Sequence, residues 1–411
     1  MPYLPPVQKI ELSQNKVLLR GIAAVVFLII GAFALSQAVS QLFSVESGWQ
    51  VIEAVGSEAS CASELVLVYD IGSGELSASA EARQLRELYS DECRLLYQLF
   101  HTVESFEGVT NLRDINLHPN ETLTVDGALY RALETVQRLG DRTIYLGPVY
   151  ARYSYLFFCE DDAQLADYDP WTSEAVRREY EGVAAYARDP ASIDLQLLGE
   201  GRVCLFVSEE YLAYAQREGI ERFLDFGWLQ NAFVVDEVAA VLSENGFTKG
   251  SVSSCNGFNR NLDSRPQTYS QHIYDRAGGT VYPAAVMAYE GPMSLVTLYD
   301  HPITEQDAFR IYSCGDGSVR TDYLSVEDGR CRSAVSDLLL YSDTLGCAET
   351  AMRAAPVFIA DTLDTEALRT LAARGVQSVY CEARTIYGTD EALRLTDLFD
   401  AGDVRYTAEL G

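Results

Sequence analysis

The sequence predicts an α+β chain: a mixed sheet-and-helix domain behind a single N-terminal transmembrane helix. Three observations carry this. Residues 21–35 (GIAAVVFLIIGAFAL) contain no charged side chain. Beyond them, short β-like runs are mixed with amphipathic helical stretches, the pattern of an α+β domain. The hydrophobic share of the 411 residues, 48%, is ordinary for a globular protein, and no internal repeat is visible.

The N-terminal segment comes first. A membrane-spanning helix needs roughly 20 mostly apolar residues. Val17 to Val39 supplies them if Arg20 snorkels to the interface. Lys9, Lys16 and Arg20 precede or open the segment, and no Lys or Arg occurs from Ser44 to Ala82. Seven carboxylates, from Glu46 to Glu81, fill that stretch instead. This asymmetry puts the N-terminus in the cytoplasm and the bulk of the chain outside. The expected organisation is a cytoplasmic stretch at 1–16, a signal-anchor at 17–43, an acidic linker at 44–60 and an extracytoplasmic domain at 61–411. A cleaved signal peptide is the competing reading, since Ala32-Phe33-Ala34 has the small-x-small form of a cleavage site. A buried soluble helix would make the charge asymmetry a coincidence.

Residues 44–411 hold 28 basic against 59 acidic side chains, a net charge of −31. So acidic a surface argues against nucleic acid or anionic lipid as a partner. Lysine is confined to Lys9, Lys16 and Lys249, so arginine carries the positive charge. Nine cysteines are scattered with no CxxC pair, which argues against a zinc ribbon or a CxxC redox motif. The odd number leaves at least one thiol free. Disulfides and buried thiols both remain open for the others.

Leu65–Tyr69 reads as a strand, and Ala80–Phe100 as a helix from the spacing of its leucines. Val125–Leu139 is a second helix, with Asp126 at its start and Gly140 past its end. Residues 172–190 are helical and polar. Val203–Val207 is a strand, and Ser208 caps a helix that stops at Gly219. Trp228–Ser243 is the most regular helix, followed by a strand from Ser251. Further strands are expected at Thr280–Tyr289, Ser294–Tyr299, Phe309–Tyr312, Ala334–Tyr341 and Val376–Cys381. Helices are expected at Ala348–Ala354, Thr365–Arg374 and Asp390–Leu398.

No GxSxG, HExxH, P-loop or GxGxxG occurs, and the four histidines (101, 118, 272, 301) lack metal-ligand spacing. Glu349, at a loop-to-helix junction, suits a hard divalent cation; it equally suits a helix first turn. Asp236, inside the regular helix, suits orienting a ligand or a neighbouring backbone; otherwise it is a solvated helix residue. Tyr145, Tyr150, Tyr153 and Tyr155 form a local cluster able to stack on a planar aromatic ring. Such residues are more often core and rim aromatics.

Several segments, in order, resemble the ApbE family of FAD:protein FMN transferases. Asn111-Leu112-Arg113-Asp114-Ile115-Asn116 resembles the family's SELSRIN, and Leu146-Gly147-Pro148-Val149 its VGPL. The stretch from Leu224 to Asp236 (LDFGWLQNAFVVD) is similar to LDLGGIAKGYAVD. Ser254-Cys255-Asn256-Gly257 stands where the family has NLGGD. Asp316–Asp322 fits DGKRYSH, Gly329 fits the glycine of DPRTG, and Cys347-Ala348-Glu349 resembles the opening of ADALATA. The resemblance spans roughly residues 60–400. It implies an ApbE-like (T-fold-related) mixed sheet, FAD and Mg²⁺ as cofactors, and a membrane or exported flavoprotein as partner. Carried over by position, it makes Asp236 and Asp322 the catalytic positions. Gly227, Asn231, Asn256 and Gly257 become cofactor positions, and Tyr145, from the tyrosine cluster, joins them as a ring that could stack on the isoalloxazine or adenine of the cofactor. Glu349 becomes the metal ligand, with Arg353 at the position of a family threonine ligand and non-binding.

The departures fall on functional positions. The lysine of AKG is Asn231, and the histidine after DGKRYS is Asp322. The metal-site aspartate is Glu349, and the double glycine before AKG is Gly227-Trp228. Transfer of a nucleotidyl phosphate needs metal on the pyrophosphate, a cation for developing charge and a base at the acceptor hydroxyl. The sequence therefore reads as a membrane-anchored, extracytoplasmic ApbE-like pseudoenzyme that serves as a binding or assembly module. Two alternatives stand beside it: an active Mg²⁺-dependent flavin transferase, with an arginine in the lysine's role, and a surface binding protein with no flavin role.

Overall fold

The computed structural model describes residues 45–411 apart from 57, 58, 75 and 278. The signal-anchor expected at 17–43 and the stretch before it lie outside the described residues. Among the described residues no helix is long and apolar enough to cross a membrane. The chain falls into two compact units. The described part of the small one is residues 45–48 and 71–83; the large one is residues 49–70 and 84–411. In the small unit the Gly72 amide donates to Glu81 Oε2 at 2.6 Å.

In chain order the elements begin with β1 (Gly48–Ile52), β2 (Leu65–Ile71), α1 (Ala78–Phe100), α2 (Leu112–Leu117), β3 (Thr122–Thr124) and α3 (Gly127–Leu139). Then come α4 (Gly147–Tyr153), α5 (Glu174–Arg188), β4 (Ile193–Gly199), β5 (Arg202–Val207), α6 (Glu209–Glu218) and α7 (Gln230–Glu244). Next are β6 (Gly250–Ser254), β7 (Phe258–Asn261), β8 (Thr268–Ala277), β9 (Thr280–Glu290), β10 (Met293–Tyr299), β11 (Ile311–Ser313), β12 (Val319–Thr321) and β13 (Asp337–Ser342). The chain closes with α8 (Cys347–Phe358), α9 (Thr365–Ala372), β14 (Gln377–Glu382), β15 (Thr385–Gly388), β16 (Arg394–Thr396), β17 (Asp400–Ala401), β18 (Val404–Arg405) and β19 (Thr407–Leu410).

Among the described residues, the main sheet has nine strands in the order β1-β2-β6-β7-β10-β13-β14-β15-β19. It is mixed: β10–β13 and β13–β14 are antiparallel, whereas β15 and β19 run parallel. Helices α7, α8 and α9 pack on strands of this sheet. The sheet β16-β9-β8 packs on β13 and β14. Ile273, Ala285 and Met287 there meet Leu295, Leu339 and Val379 in one buried cluster. Strand β13 (DLLLYS) is therefore covered on both faces, and every one of its residues is buried. The fold is α+β, as the sequence predicts.

Local chemistry sets the helix ends as expected. The Asp126 carboxylate accepts the Ala128 amide at 2.8 Å at the start of α3, and Gly140 closes it in the left-handed conformation with φ of +68°. Ser208 Oγ accepts the Tyr211 amide, and Gly219 ends α6 in the same left-handed way.

Three expectations are corrected. Residues 390–398 are not a helix. Arg394–Thr396 is strand β16, paired antiparallel with Ala288–Val286. Leu393 and Leu395 pack on the sheet core at a spacing of two, which is a strand period and not a helical one. The strand expected from Phe309 begins only at Ile311, because Glu305–Phe309 is a 3₁₀ turn capped by Thr304 and Asp307. Gly48–Ile52, expected to be linker, is a strand at the edge of the main sheet.

Because Leu339 is wholly enclosed between two layers, Leu339→Ala is expected to lower unfolding free energy by about 2–5 kcal/mol in a denaturant titration. A loss below about 1 kcal/mol would mean that this strand is not the two-faced core.

Candidate functional site

Four of the nine residues singled out from sequence meet at one cavity. Gly227, Asn231, Asn256 and Asp322 line a space of about 460 Å³, together with Glu64, Trp228, Cys255, Gln306, Phe309 and Arg310. Its position follows from local packing. Asn116, at the end of the SELSRIN-like stretch, is buried and holds the segment that leads to the cavity. Its Nδ2 donates to Leu224 O at 2.9 Å, and its Oδ1 accepts the amides of Phe223 and Leu224. Asp225 then accepts the Gly227 amide at 2.8 Å. Gly227 has φ of +53°, and a Cβ there would stand 2.4 Å from the Tyr150 ring. The glycine is required by Tyr150, a residue of the core. The Trp228 indole is 2% exposed, stacks on Phe258 and meets Tyr323 edge-on.

Several polar side chains of the cavity bond to one another, while Asn231 Oδ1 and the Trp228 indole N–H are buried without a hydrogen-bond partner among the described residues. Asn231 Nδ2 donates to Glu64 Oε2 at 2.8 Å and to Asn256 Oδ1 at 3.2 Å. Asn256 Oδ1 also accepts Ser254 Oγ–H. Arg310 donates to Asp307 Oδ1 at 3.2 Å, to Asp322 Oδ1 at 3.3 Å and to the Tyr323 hydroxyl. Its guanidinium lies 4.6 Å from the centre of the Tyr299 ring and 5.4 Å from that of Tyr323. Burial raises the Asp322 carboxyl above the ordinary range, with Arg310 pulling it back. Burial and the Glu64 charge push the Cys255 thiol up to about 11, so it is not a nucleophile near neutrality.

Asp236 and Glu349 line a different cavity, of about 580 Å³. The two Asp236 oxygens accept the amides of Cys347 and Ala348 at 2.8 and 2.9 Å, so this carboxylate caps α8. Gly346 leaves it room; a Cβ there would stand 2.4 Å from Asp236 Oδ2. Glu349 is held from two sides. Arg138 of α3 grips it with two bonds, at 3.2 and 2.6 Å, and Arg353 one turn along α8 adds two more at 3.0 and 2.6 Å. These contacts, Arg138 foremost, hold its carboxyl below the usual range.

The remaining residues serve packing. Gly257 has φ of +95°, and a Cβ would come within 2.3 Å of Thr297 O. Its carbonyl accepts the Thr297 amide at 2.8 Å, so it seats β10 against the turn before β7. Tyr145 is buried, accepts the Leu195 amide through its hydroxyl oxygen and lies under the Arg142 guanidinium. Tyr150 and Tyr153 are core residues, and Tyr155 is exposed. A larger cleft, of about 660 Å³, is lined by Tyr155 and by none of the nine site residues.

A divalent cation does not fit the donor set at Glu349. Both of its oxygens are engaged by guanidinium groups, and Arg353 places a positive charge where the resemblance implies a second ligand. A pyrophosphate fits the first cavity no better. Arg310, the cation among its lining residues, is already paired with Asp307 and Asp322.

Glu64, Arg310, Gln306 and Phe309 in the cavity wall escape sequence reasoning. The Asp307 and Arg310 spacing of three is the one available signal, and it is a common one.

Comparison with solved structures agrees with this fold. The chain is similar to the ApbE protein of Thermotoga maritima, with a TM-score of 0.53 and 14% identity over 82% of this chain and 94% of that one. It is similar to the flavin transferase ApbE of Vibrio cholerae at 0.53 and 12% identity, covering 85% and 97%. For the apo flavinyl transferase ApbE of Pseudomonas stutzeri the values are 0.53 and 14%, covering 88% and 99%. The chain has an ApbE-like fold. No family model and no curated protein matches its sequence.

The Glu349 clamp has a pH signature. A carboxyl held low in the folded chain adds stability above its unfolded pKa and loses it as pH falls through the folded one. Glu349→Gln is expected to be less stable than wild type at pH 7. The gap should close as pH drops below about 4, the ordinary range of glutamate. A gap that stays constant from pH 7 to pH 3 would show that the arginines do not act on a charged Glu349.

Proposed function

We propose that this chain is an ApbE-fold binding or assembly module, held outside the membrane by its N-terminal segment, in which flavin transfer has been lost. One observation carries the proposal. At each position where the resemblance implies transfer chemistry, the side chain is paired with another protein group. Asn231 bonds to Glu64 and Asn256, Asp322 to Arg310, Asp236 to the start of α8, and Glu349 to Arg138 and Arg353. Electrostatic catalysis needs preorganised charge aimed at the reacting group. Here Asp322 and Glu349 are aimed at guanidinium groups and Asp236 at backbone amides.

The reaction also needs a base at the acceptor hydroxyl and a cation for the developing charge. Asp322 faces the Arg310 guanidinium, and Asn231 is a neutral amide. Losing one such contact typically lowers a rate by about 100-fold or more, and the loss of several leaves little. The Glu64–Asn231–Asn256 network and the Tyr299–Arg310–Tyr323 stack support a different use of this cavity wall, as a preformed surface whose polar groups are already oriented. A membrane or exported flavoprotein is the partner class that the resemblance suggests.

The test uses the full chain incubated with FAD, Mg²⁺ and an acceptor protein of the flavinylated kind. No covalent FMN on the acceptor is the expected result. Covalent FMN that disappears in Glu349→Ala would overturn the proposal in favour of a working transferase.

A further inference from the structure

Cys61 and Cys93 lie far apart in sequence and together in the fold. Cys61 opens a 3₁₀ turn, Cys61–Glu64, whose start is capped by Ser60 Oγ accepting the Ala62 amide. Cys93 sits in α1. Both are buried, at 3% and 0% exposure. The Cys61 thiol donates to the Cys93 carbonyl at 3.2 Å, which brings the Cys61 sulfur against the residue that carries the second thiol. Tyr89, one turn before Cys93, is buried as well.

The turn that begins at Cys61 carries a wall of the candidate cavity. Ser63 and Glu64 line it. Glu64 accepts Asn231 Nδ2 through its side chain and the Cys255 amide, at 2.8 Å, through its carbonyl. Whatever fixes Cys61 fixes this edge.

We propose that Cys61 and Cys93 form a disulfide under oxidising conditions, and that the bond ties the cavity-lining turn 61–64 to α1. The chemistry is thiol–disulfide exchange with a small disulfide such as oxidised glutathione. One protein thiolate attacks it and releases one glutathione thiol, leaving a mixed disulfide. The second protein thiolate attacks the protein sulfur of that mixed disulfide and releases the other. Two protein thiols are oxidised and one small disulfide is reduced to two thiols, with no other reagent. In the folded reduced chain the neighbouring thiol and burial hold Cys61 far above the ordinary thiol range, so it is protonated and enclosed. The bond therefore forms while the chain folds, or on local opening of the turn, and slowly otherwise.

The experiment refolds the full chain with oxidised glutathione or with a reductant, alkylates free thiols and maps the peptides. The oxidised sample should yield a Cys61–Cys93 cross-linked peptide and a higher thermal midpoint than the reduced one. In Cys93→Ala the midpoint difference between the two conditions should vanish. Alkylated Cys61 and Cys93 in the oxidised sample, or either residue linked to another cysteine, would refute the pairing. So would a midpoint difference that persists in Cys93→Ala. Should that variant not fold, the wild-type map alone decides.

Discussion

A buried guanidinium organises the wall of the candidate cavity. Arg310 is taken out of water and is stable there because Asp307, Asp322 and the Tyr323 hydroxyl surround it. The same Asp307 accepts the amides of Ile303 and Thr304 and the Tyr299 hydroxyl, at 2.7–2.9 Å. One charge thus ties together the end of β10, the 3₁₀ turn after it and the strand pair β11–β12 leading to Asp322. Removing either acid would leave the buried guanidinium with a single counter-charge, a loss that costs stability because the remaining charge stays out of water. The guanidinium is thus fully partnered by protein groups.

The same logic recurs at Glu349. A carboxylate at the start of a helix is favoured by the exposed amides there, and Asp236 already satisfies two of those amides in α8. Glu349 instead links α3 to α8 through Arg138 and is braced by Arg353. In a chain whose residues 44–411 carry a net charge of −31, arginines gripping carboxylates relieve local repulsion and join elements. This use of arginine is the reverse of a cation-binding site, where carboxylates converge on an ion rather than on guanidinium groups.

Much of the fold is legible in the sequence because caps and periodicity act locally. Asp126 and Gly140, and Ser208 and Gly219, bound two helices on sequence grounds alone. The stretch at 390–398 is ambiguous, because Leu393 and Leu395 lie two apart in a short run flanked by charges, where helical and strand periods are hard to separate. The central sheet order is not legible, since pairing between β10 and β13 is a long-range choice made by burial on both faces. At the site, motif order locates Gly227, Asn231, Asn256 and Asp322, which do meet. It also nominates Gly257, and the tyrosine cluster nominates Tyr145; their roles in backbone approach and core packing depend on Thr297 and Leu195, neither adjacent in sequence. Glu64 and Arg310 are hidden from sequence reasoning, because their importance lies in which distant groups they touch.

The central claim is that the charged positions of this ApbE-like fold are closed by pairing within the protein. Calorimetric titration of the full chain with Mg²⁺ tests it most directly. Closure by pairing predicts no saturable binding and a wild-type trace indistinguishable from that of Glu349→Ala. One-site Mg²⁺ binding that is abolished in Glu349→Ala would contradict it.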